Sequence, residues 1–416
     1  MIIHTVKQGE TLSEIARLYG VSEALLARNN DVFDPLVEGD DLVILFPELT
    51  HTVSYGETLF SIAEKYGTTA RELYQNNYYL KGNPNVYPGQ TIVISYQDNP
   101  AKEILTNGYA YPFVRDDILK TSLNYIDYVS PFTYGMTYDG ELVLLNDQKI
   151  INLANRYGTG TAFHLSTLTE DDRFDSELAR YILENEDVQI KLIANIERVM
   201  TEKGFTLIDV DFEYIGREQA ENYGKFIERV KKLGYPVIVA AAPKTSATQP
   251  GILYEGHDYR ILGEVADYLF VMTYEWGYTF GPPQAVAPLP NVTKVLEYAV
   301  TEVPSQKILM GIANYGYDFT LPYVKGESRA TSIGNRQAVE IARLYGVPIS
   351  YDETAQSPYF NYVDGTGRTH EVWFENARSI YAKFELLNRL NLSGYGVWNL
   401  MRPFPQLWLL TNALYK

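Results

Sequence analysis

Eight short apolar runs, at 108–111, 128–133, 161–165, 207–213, 237–242, 268–274, 308–314 and 395–399, punctuate the chain between residues 101 and 416. Between them lie segments with helical spacing; Tyr223, Phe226, Ile227 and Val230 share one face of 217–233, and Ile380, Phe384 and Leu387 share one face of 377–390. Strand-like runs alternating with helices call for a parallel sheet with crossover helices. Eight such pairs predict an α/β fold, a TIM-type (β/α)8 barrel with its site at the C-terminal ends of the strands. The interval between the seventh and eighth runs is far longer than the others. It holds β-like pieces at 347–351, 359–362 and 370–374 around the turn Asp364-Gly365-Thr366-Gly367, which predicts a small α+β insertion at about 318–375.

The fourth run carries the chemistry. In Thr206-Leu207-Ile208-Asp209-Val210-Asp211-Phe212-Glu213-Tyr214 the strand period of two puts Asp209, Asp211 and Glu213 on one face and Ile208, Val210 and Phe212 on the other. The apolar face must pack under helices, so the acids point into the barrel, spaced roughly 7 Å apart along the strand. Carboxylates desolvated together hold on to protons, so at least one pKa is expected to rise. Glu213, nearest the C-terminal end, is best placed to meet a substrate as a protonated acid. A structural acid ladder or a divalent-metal site gives the same pattern, but a metal would need further ligands that the sequence does not obviously supply.

Residues 1–97 are dominated by a repeat. His4-Thr5-Val6-Lys7-Gln8-Gly9-Glu10-Thr11-Leu12 recurs as His51-Thr52-Val53-Ser54-Tyr55-Gly56-Glu57-Thr58-Leu59, an offset of 47 that also superposes Ile15-Ala16 on Ile62-Ala63 and Asn29-Asn30 on Asn76-Asn77. Each copy reads as strand, helix, helix, strand. Thr11 with Glu14, and Thr69 with Glu72, are capping-box pairs, and the closing strands are expected at 42–44 and 92–94. The pattern resembles the LysM module, whose members bind N-acetylglucosamine-containing glycans in a shallow groove. That resemblance implies groove residues near Gly9, Glu10, Thr11 and Leu36 in module 1 (1–47), and near Gly56, Glu57, Thr58 and Val86 in module 2 (48–97). Gly-Glu-Thr equally reads as a turn leading into an N-cap. The connectors Phe46-Pro47-Glu48-Leu49 and Gln97-Asp98-Asn99-Pro100 are short, so fixed packing between modules is expected.

Composition narrows the partners. With 46% hydrophobic and 21% charged residues the chain can bury a large core. The 52 acidic against 35 basic residues leave a net charge of −17, which repels polyphosphate, so no nucleic acid partner is expected. No run approaches the ~18–20 apolar residues of a membrane span. Met1-Ile2-Ile3-His4-Thr5-Val6 has neither a basic leader nor a long apolar region, so no conventional signal peptide is expected. Cysteine is absent, which excludes disulfides and thiolate chemistry. No motif calls for a cofactor or metal, and a monomer is expected. Tyrosine is in excess, with 35 against 17 Phe and 4 Trp; most are expected to be packing residues. His164, His257 and His370 match no motif and read as surface or core histidines.

Asp209-x-Asp211-x-Glu213-Tyr214 resembles the signature of glycoside hydrolase family 18, Asp-Gly-x-Asp-x-Asp-x-Glu. Met272-Thr273-Tyr274-Glu275 is similar to its Met-x-Tyr-Asp, Gly311 to Gly316 to its Gly-x-x-x-Tyr-Gly, and Trp398 ends the last strand, where the family floors its central sugar subsite. The resemblance spans 101–416. It implies substrate-assisted, retaining hydrolysis, an exception to the two-carboxylate scheme. Glu213 would be the acid and Asp211 would orient the substrate acetamide; Tyr274 would hydrogen-bond the acetamide oxygen, Asp209 would hold Asp211, and Trp398 would stack under the sugar. Tyr214, Met272 and Glu275 would be sugar contacts. Thr206 and Leu207 depart from the signature's first Asp and Gly, and Glu275 from its Asp. LysM pairs before such a barrel, together with Trp373-Phe374-Glu375-Asn376-Ala377-Arg378-Ser379-Ile380, resemble spore-cortex N-acetylglucosaminidases of endospore-forming bacteria. Three functions follow as expectations: an N-acetylglucosaminidase on peptidoglycan in the spore coat or cortex region, a chitinase, or a non-catalytic glycan-binding protein.

Overall fold

The apolar runs become β1 (Leu105–Ala110), β2 (Tyr128–Pro131), β3 (Gly160–Ser166), β4 (Leu207–Asp211), β5 (Val237–Ala241), β6 (Tyr268–Val271), β7 (Ile308–Ala313) and β8 (Gly394–Trp398). All eight pair in parallel and close into a barrel, with β8 pairing to β1. This computed structural model describes residues 1–98, 100, 102–168 and 175–415. Asn99 of the second connector, and Ala101 and Lys416 at the bounds of the expected barrel, lie outside them.

Two edges differ from expectation in a way that matters. β1 starts at Leu105 rather than 108, because the polar Thr106-Asn107 pair, which does not look like a strand, is paired with β8, with Asn107 facing the barrel interior and Thr106 bonding Asp127. β4 and β6 stop at Asp211 and Val271, short of the expected 213 and 274. Their last residues leave the sheet and turn over the barrel mouth.

The acid strand is packed as its alternation requires. Phe212 stacks between Tyr223 and Phe226 of the helix Ala220–Lys231, at ring separations of 5.5 and 5.3 Å, while Ile208 and Val210 are fully buried. That apolar outer face holds the acids inward.

The insertion is a five-stranded antiparallel sheet in the order Thr331–Ile333, Gly316–Thr320, Thr369–Trp373, Ser357–Val363, Ser350–Asp352. The helix Asn335–Tyr345 covers it through Ala338, Val339 and Ala342, which pack with Phe360 and Val372. The first two strands were not expected. Gly316–Thr320 follows β7 after only two residues and reads as its continuation.

Each repeat forms strand, helix, helix, strand, with closing strands Asp41–Ile44 and Thr91–Tyr96. Thr11 with Glu14 and Thr69 with Glu72 form the expected capping boxes. The modules are docked rather than tethered. Asn29 Nδ2 of the first donates to the Tyr96 hydroxyl of the second, and Arg71 of the second donates to the carbonyls of Asn124 and Ile126, just before β2. The first also meets the insertion: Val37 enters its core, Arg336 pairs with Asp40, and Ile349 N–H donates to the Glu38 carbonyl. Gly39, at φ +83°, lies so close that a Cβ would overlap the Ile349 carbonyl.

The 373–380 segment is the knot of these contacts. Asn376 caps the helix Ala377–Arg389 through Ser379 N–H and donates to Asp41 of the first module at 2.5 Å. Arg378 lies over the Tyr351 ring and pairs with Glu353 of the insertion. Glu375, 1% exposed, accepts from Lys383 at 2.8 and 3.0 Å and from Ser379. Removing one member of such a buried pair strands the other's charge, so Lys383→Met should lose about 3–5 kcal/mol in urea unfolding at pH 7. The double variant Glu375→Gln/Lys383→Met should recover most of that loss; equal losses for both would show that the pair's charge is not what matters.

Candidate active site

At the C-terminal mouth of the barrel a cavity of about 600 Å³ is lined by Asp211, Glu213, Tyr214, Met272, Tyr274, Glu275 and Trp398, among others. All seven had been singled out in the sequence. Asp209 lies two residues deeper along β4 than Asp211, fully buried. Its Oδ2 accepts from Ser130 Oγ at 3.0 Å and Asn107 Nδ2 at 3.3 Å.

Two backbone positions explain how the acids reach the cavity. Tyr214 and Glu275, directly after Glu213 and Tyr274, have φ of 57° and 68°, a left-handed region costly for side chains of this size. These turns lie just beyond the ends of β4 and β6, where the chain has left the sheet and Glu213 and Tyr274 line the cavity.

Burial governs the electrostatics. Among the described residues no Lys or Arg forms an ion pair with Asp209, Asp211 or Glu213. Burial pushes Asp209 up to about 7, against the hydrogen bonds from Ser130 and Asn107. Asp211 rises far above the usual carboxylate range, through burial first and then the charges of Glu213 and Asp209. Glu213 is raised to about 7 by burial and by the nearby Glu275. The site keeps its carboxylates by retaining protons. His164 does not act as a counter-ion: burial lowers it to about 3, and its Nε2 is 3.7 Å from Asp211.

Polar atoms are left over in the same place. Asp209 Oδ1, Asp211 Oδ1 and the Tyr109 hydroxyl are buried without a hydrogen-bond partner. Such orphans are costly unless something else completes them. Trp398 is held edge-on by Phe132 at 4.8 Å, Tyr109 at 5.7 Å and Tyr111 at 6.1 Å, so its indole is fixed beside these atoms.

Sequence reasoning missed several contributors. Asn107 and Ser130 brace Asp209, and His164, 1% exposed, bonds Thr133 Oγ1 through Nδ1 at 2.6 Å. A signal existed: each is a polar residue on the inward face of an apolar strand. His257 is fully buried, accepting the Ala242 N–H at 2.8 Å and meeting the Phe212 carbonyl at 2.8 Å, which pins the backbone between Asp211 and Glu213. His370 is also buried and pairs with Asp318 and Asp364 of the insertion. Tyr315 and Tyr317 donate to the Glu275 carboxylate. Tyr109, Tyr111, Tyr214, Tyr254, Tyr274 and Tyr278 all line the cavity, so the tyrosine excess bears on the site beyond Tyr274 and Tyr214, the two expected there from the sequence.

In the modules the expected groove residues are largely occupied by their own fold. Glu10 accepts from Lys7 N–H and meets His4 Nε2 at 2.9 Å, and Glu57 does the same with Ser54 N–H and His51. Thr11 and Thr58 are N-caps, and Gly9 and Gly56 take φ of 75° and 84° in open space. Leu36 and Val86 are half-buried, each against its own module's core.

The model of the glycosyl hydrolases family 18 matches residues 172–402, and the LysM domain model matches 4–44 and 51–95. The chain is 40% identical to the cortical fragment-lytic enzyme of Bacillus subtilis (strain 168), over 100% of this chain and 98% of that protein. It superposes on the crystal structure of the spore cortex-lytic enzyme SleL of Bacillus megaterium QM B1551 with a TM-score of 0.84 and 36% identity, covering 100% and 98% of the two chains. A chitinase from Chromobacterium violaceum ATCC 12472 matches with a TM-score of 0.68 and 25% identity over 74% of this chain and 98% of its own.

The raised pKa of Asp209 has a sign that stability can read. A carboxyl that rises from 3.8 to about 7 on folding contributes stability that is present below about pH 4 and lost as pH rises through 7. Asp209→Asn should therefore gain stability relative to wild type on going from pH 5 to pH 8, by up to about 3 kcal/mol. Thermal melts at the two pH values check this; a relative loss at pH 8 would mean the group is ionised and satisfied.

Proposed function

The chain belongs to the glycosyl hydrolases of family 18, and from that premise and the cavity's geometry we propose that it is a retaining N-acetylglucosaminidase acting on spore-cortex peptidoglycan. Its near full-length likeness to a cortical fragment-lytic enzyme and to a spore cortex-lytic enzyme supports the substrate. The paired LysM modules support binding of an N-acetylglucosamine-containing glycan.

The carrying observation is the buried Asp211 Oδ1 without a partner, in a cavity shared with Glu213, Tyr274 and Trp398. An N-acetylglucosamine ring stacked on Trp398 brings its 2-acetamido group to that atom. Asp211 accepts the acetamide N–H and turns the carbonyl oxygen toward the anomeric carbon. The Tyr274 hydroxyl, whose own pKa is held well above 10 by burial and the adjacent carboxylates, donates to that oxygen as a neutral group. Glu213 is protonated near neutrality and gives its proton to the glycosidic oxygen, and the leaving sugar departs. The acetamide oxygen bonds the anomeric carbon to form an oxazolinium ion, whose positive charge is offset by the Asp211–Asp209 pair when the two share a single proton and so carry one negative charge. Water, deprotonated by the Glu213 carboxylate, then attacks from the face the leaving group vacated. Two inversions give net retention. Met272, Tyr214 and Glu275 contact the sugars around the scissile bond.

Glu213→Gln should cut kcat by at least about 10²-fold with the fold intact, and wild-type kcat/KM should fall about tenfold per pH unit above about 7 as the acid loses its proton. Unchanged hydrolysis by the variant would remove Glu213 from the mechanism. Mass spectrometry of digested cortex fragments should show new N-acetylglucosamine reducing ends. Faster turnover of chitin oligomers than of cortex fragments would favour a chitinase. No reducing ends from any N-acetylated glycan would leave a binding protein.

A further inference from the structure

A second groove, of about 570 Å³, adjoins the catalytic cavity and shares Pro243, Tyr254 and Trp276 with it. Past those residues its walls change character, to the side chains of Thr245, Ser246, Thr248, Gln249, Asn291 and Lys294. Gln249 accepts the Thr245 N–H at 2.8 Å, which closes the loop after β5 that forms one wall. Lys294, on the helix Leu289–Glu302 that forms the other, is exposed and has no ion-pair partner among the described residues. Among the side chains that line this groove Lys294 is the one that carries a charge, so it is the point at which an anionic group of a ligand would be met.

The barrel's order places this groove along the substrate. β4 and β8 stand four positions apart around the closed sheet of eight strands and so face each other. With the cleaved sugar on Trp398 at the end of β8 and the acid Glu213 just after β4, the scissile oxygen lies on the β4 side of that sugar. From there the cavity continues along the loops after β5 and β6, where Pro243, Tyr254, Trp276 and Tyr278 line it, and no residue of β3 does, so the leaving group extends over those loops. The same loops carry the groove.

An unbranched N-acetylglucosamine chain has only a hydroxyl at C3 and gives a side groove nothing to hold. A muramic acid residue carries a 3-O-lactyl group there, extended by amide-linked amino acids that end in a carboxylate. Hydroxyl and amide walls with one free ammonium match that branch. We propose that the groove receives the lactyl-peptide branch of a muramic acid on the leaving-group side, with Lys294 meeting its carboxylate, so that the enzyme selects muramyl over unbranched leaving groups. This rests on the N-acetylglucosaminidase reading above.

The test compares kcat/KM for two probes on the full chain: a purified glucosaminyl-muramyl tetrasaccharide bearing L-alanine branches, and N-acetylchitotetraose. Lys294→Glu should lower kcat/KM on the branched probe by about tenfold and on chitotetraose by less than about twofold, because it replaces an attraction with a repulsion. Ser246→Trp, which fills the groove without altering charge, should give the same selective loss. Amidation of the alanine carboxylate should remove most of the wild-type preference that Lys294→Glu abolishes. Equal losses on both probes, or no loss on either, would overturn the groove's role while leaving the glycosidase assignment standing. Failure of wild type to cleave either probe would overturn both.

Discussion

Three carboxylates on one face of β4, walled in by apolar packing on the other, set the terms for the rest of the barrel. Ile208, Val210 and Phe212 are buried under a helix, so Asp209, Asp211 and Glu213 have nowhere to go but inward. Placing three charges there without a cation is prohibitive, and no Lys or Arg pairs with them among the described residues. The fold instead supplies neutral donors, Asn107 and Ser130, for the deepest acid and leaves the outer two to share protons. A chain that needs a protonated carboxyl near neutral pH obtains one by exclusion of water, and the buried neutral His164 shows that the same exclusion acts on bases.

Around this core the modules are docked onto one another and onto the barrel. The modules are joined to each other and to the barrel by buried polar contacts, from Asn29 and Tyr96 between modules to Asn376 and Asp41 at the insertion. The Trp-Phe-Glu-Asn-Ala-Arg-Ser stretch has no atom in the cavity. It holds the insertion, the helix leading into β8 and the first module to one another, which accounts for its mixture of buried charge and capping residues.

The apolar runs made the barrel legible, because a strand buried on both faces must be apolar along its length, and the acids were legible because they break that rule with a period of two. What stayed hidden broke it singly. Asn107, Ser130 and His164 are isolated polar residues whose partners come from elsewhere in the barrel, so their one mark in the sequence is a single polar residue on the inward face of an apolar strand, with no repeat to reinforce it. Strand ends were misplaced for a related reason. The expected ends of β4 and β6, 213 and 274, fall where the backbone turns left-handed one residue later, at Tyr214 and Glu275, and neither residue type advertises such a conformation. Gly-Glu-Thr in the modules was ambiguous between turn and groove, and the structure shows its side chains at work as caps and as partners of His4 and His51.

Burial keeps Glu213 protonated near neutral pH. Infrared difference spectra between wild type and Glu213→Gln, recorded from pH 5 to pH 9, observe that proton directly as a carboxylic acid C=O band. A band is expected at pH 6 that disappears with a midpoint near 7. Absence of the band at pH 6, with only carboxylate signal throughout, would contradict it.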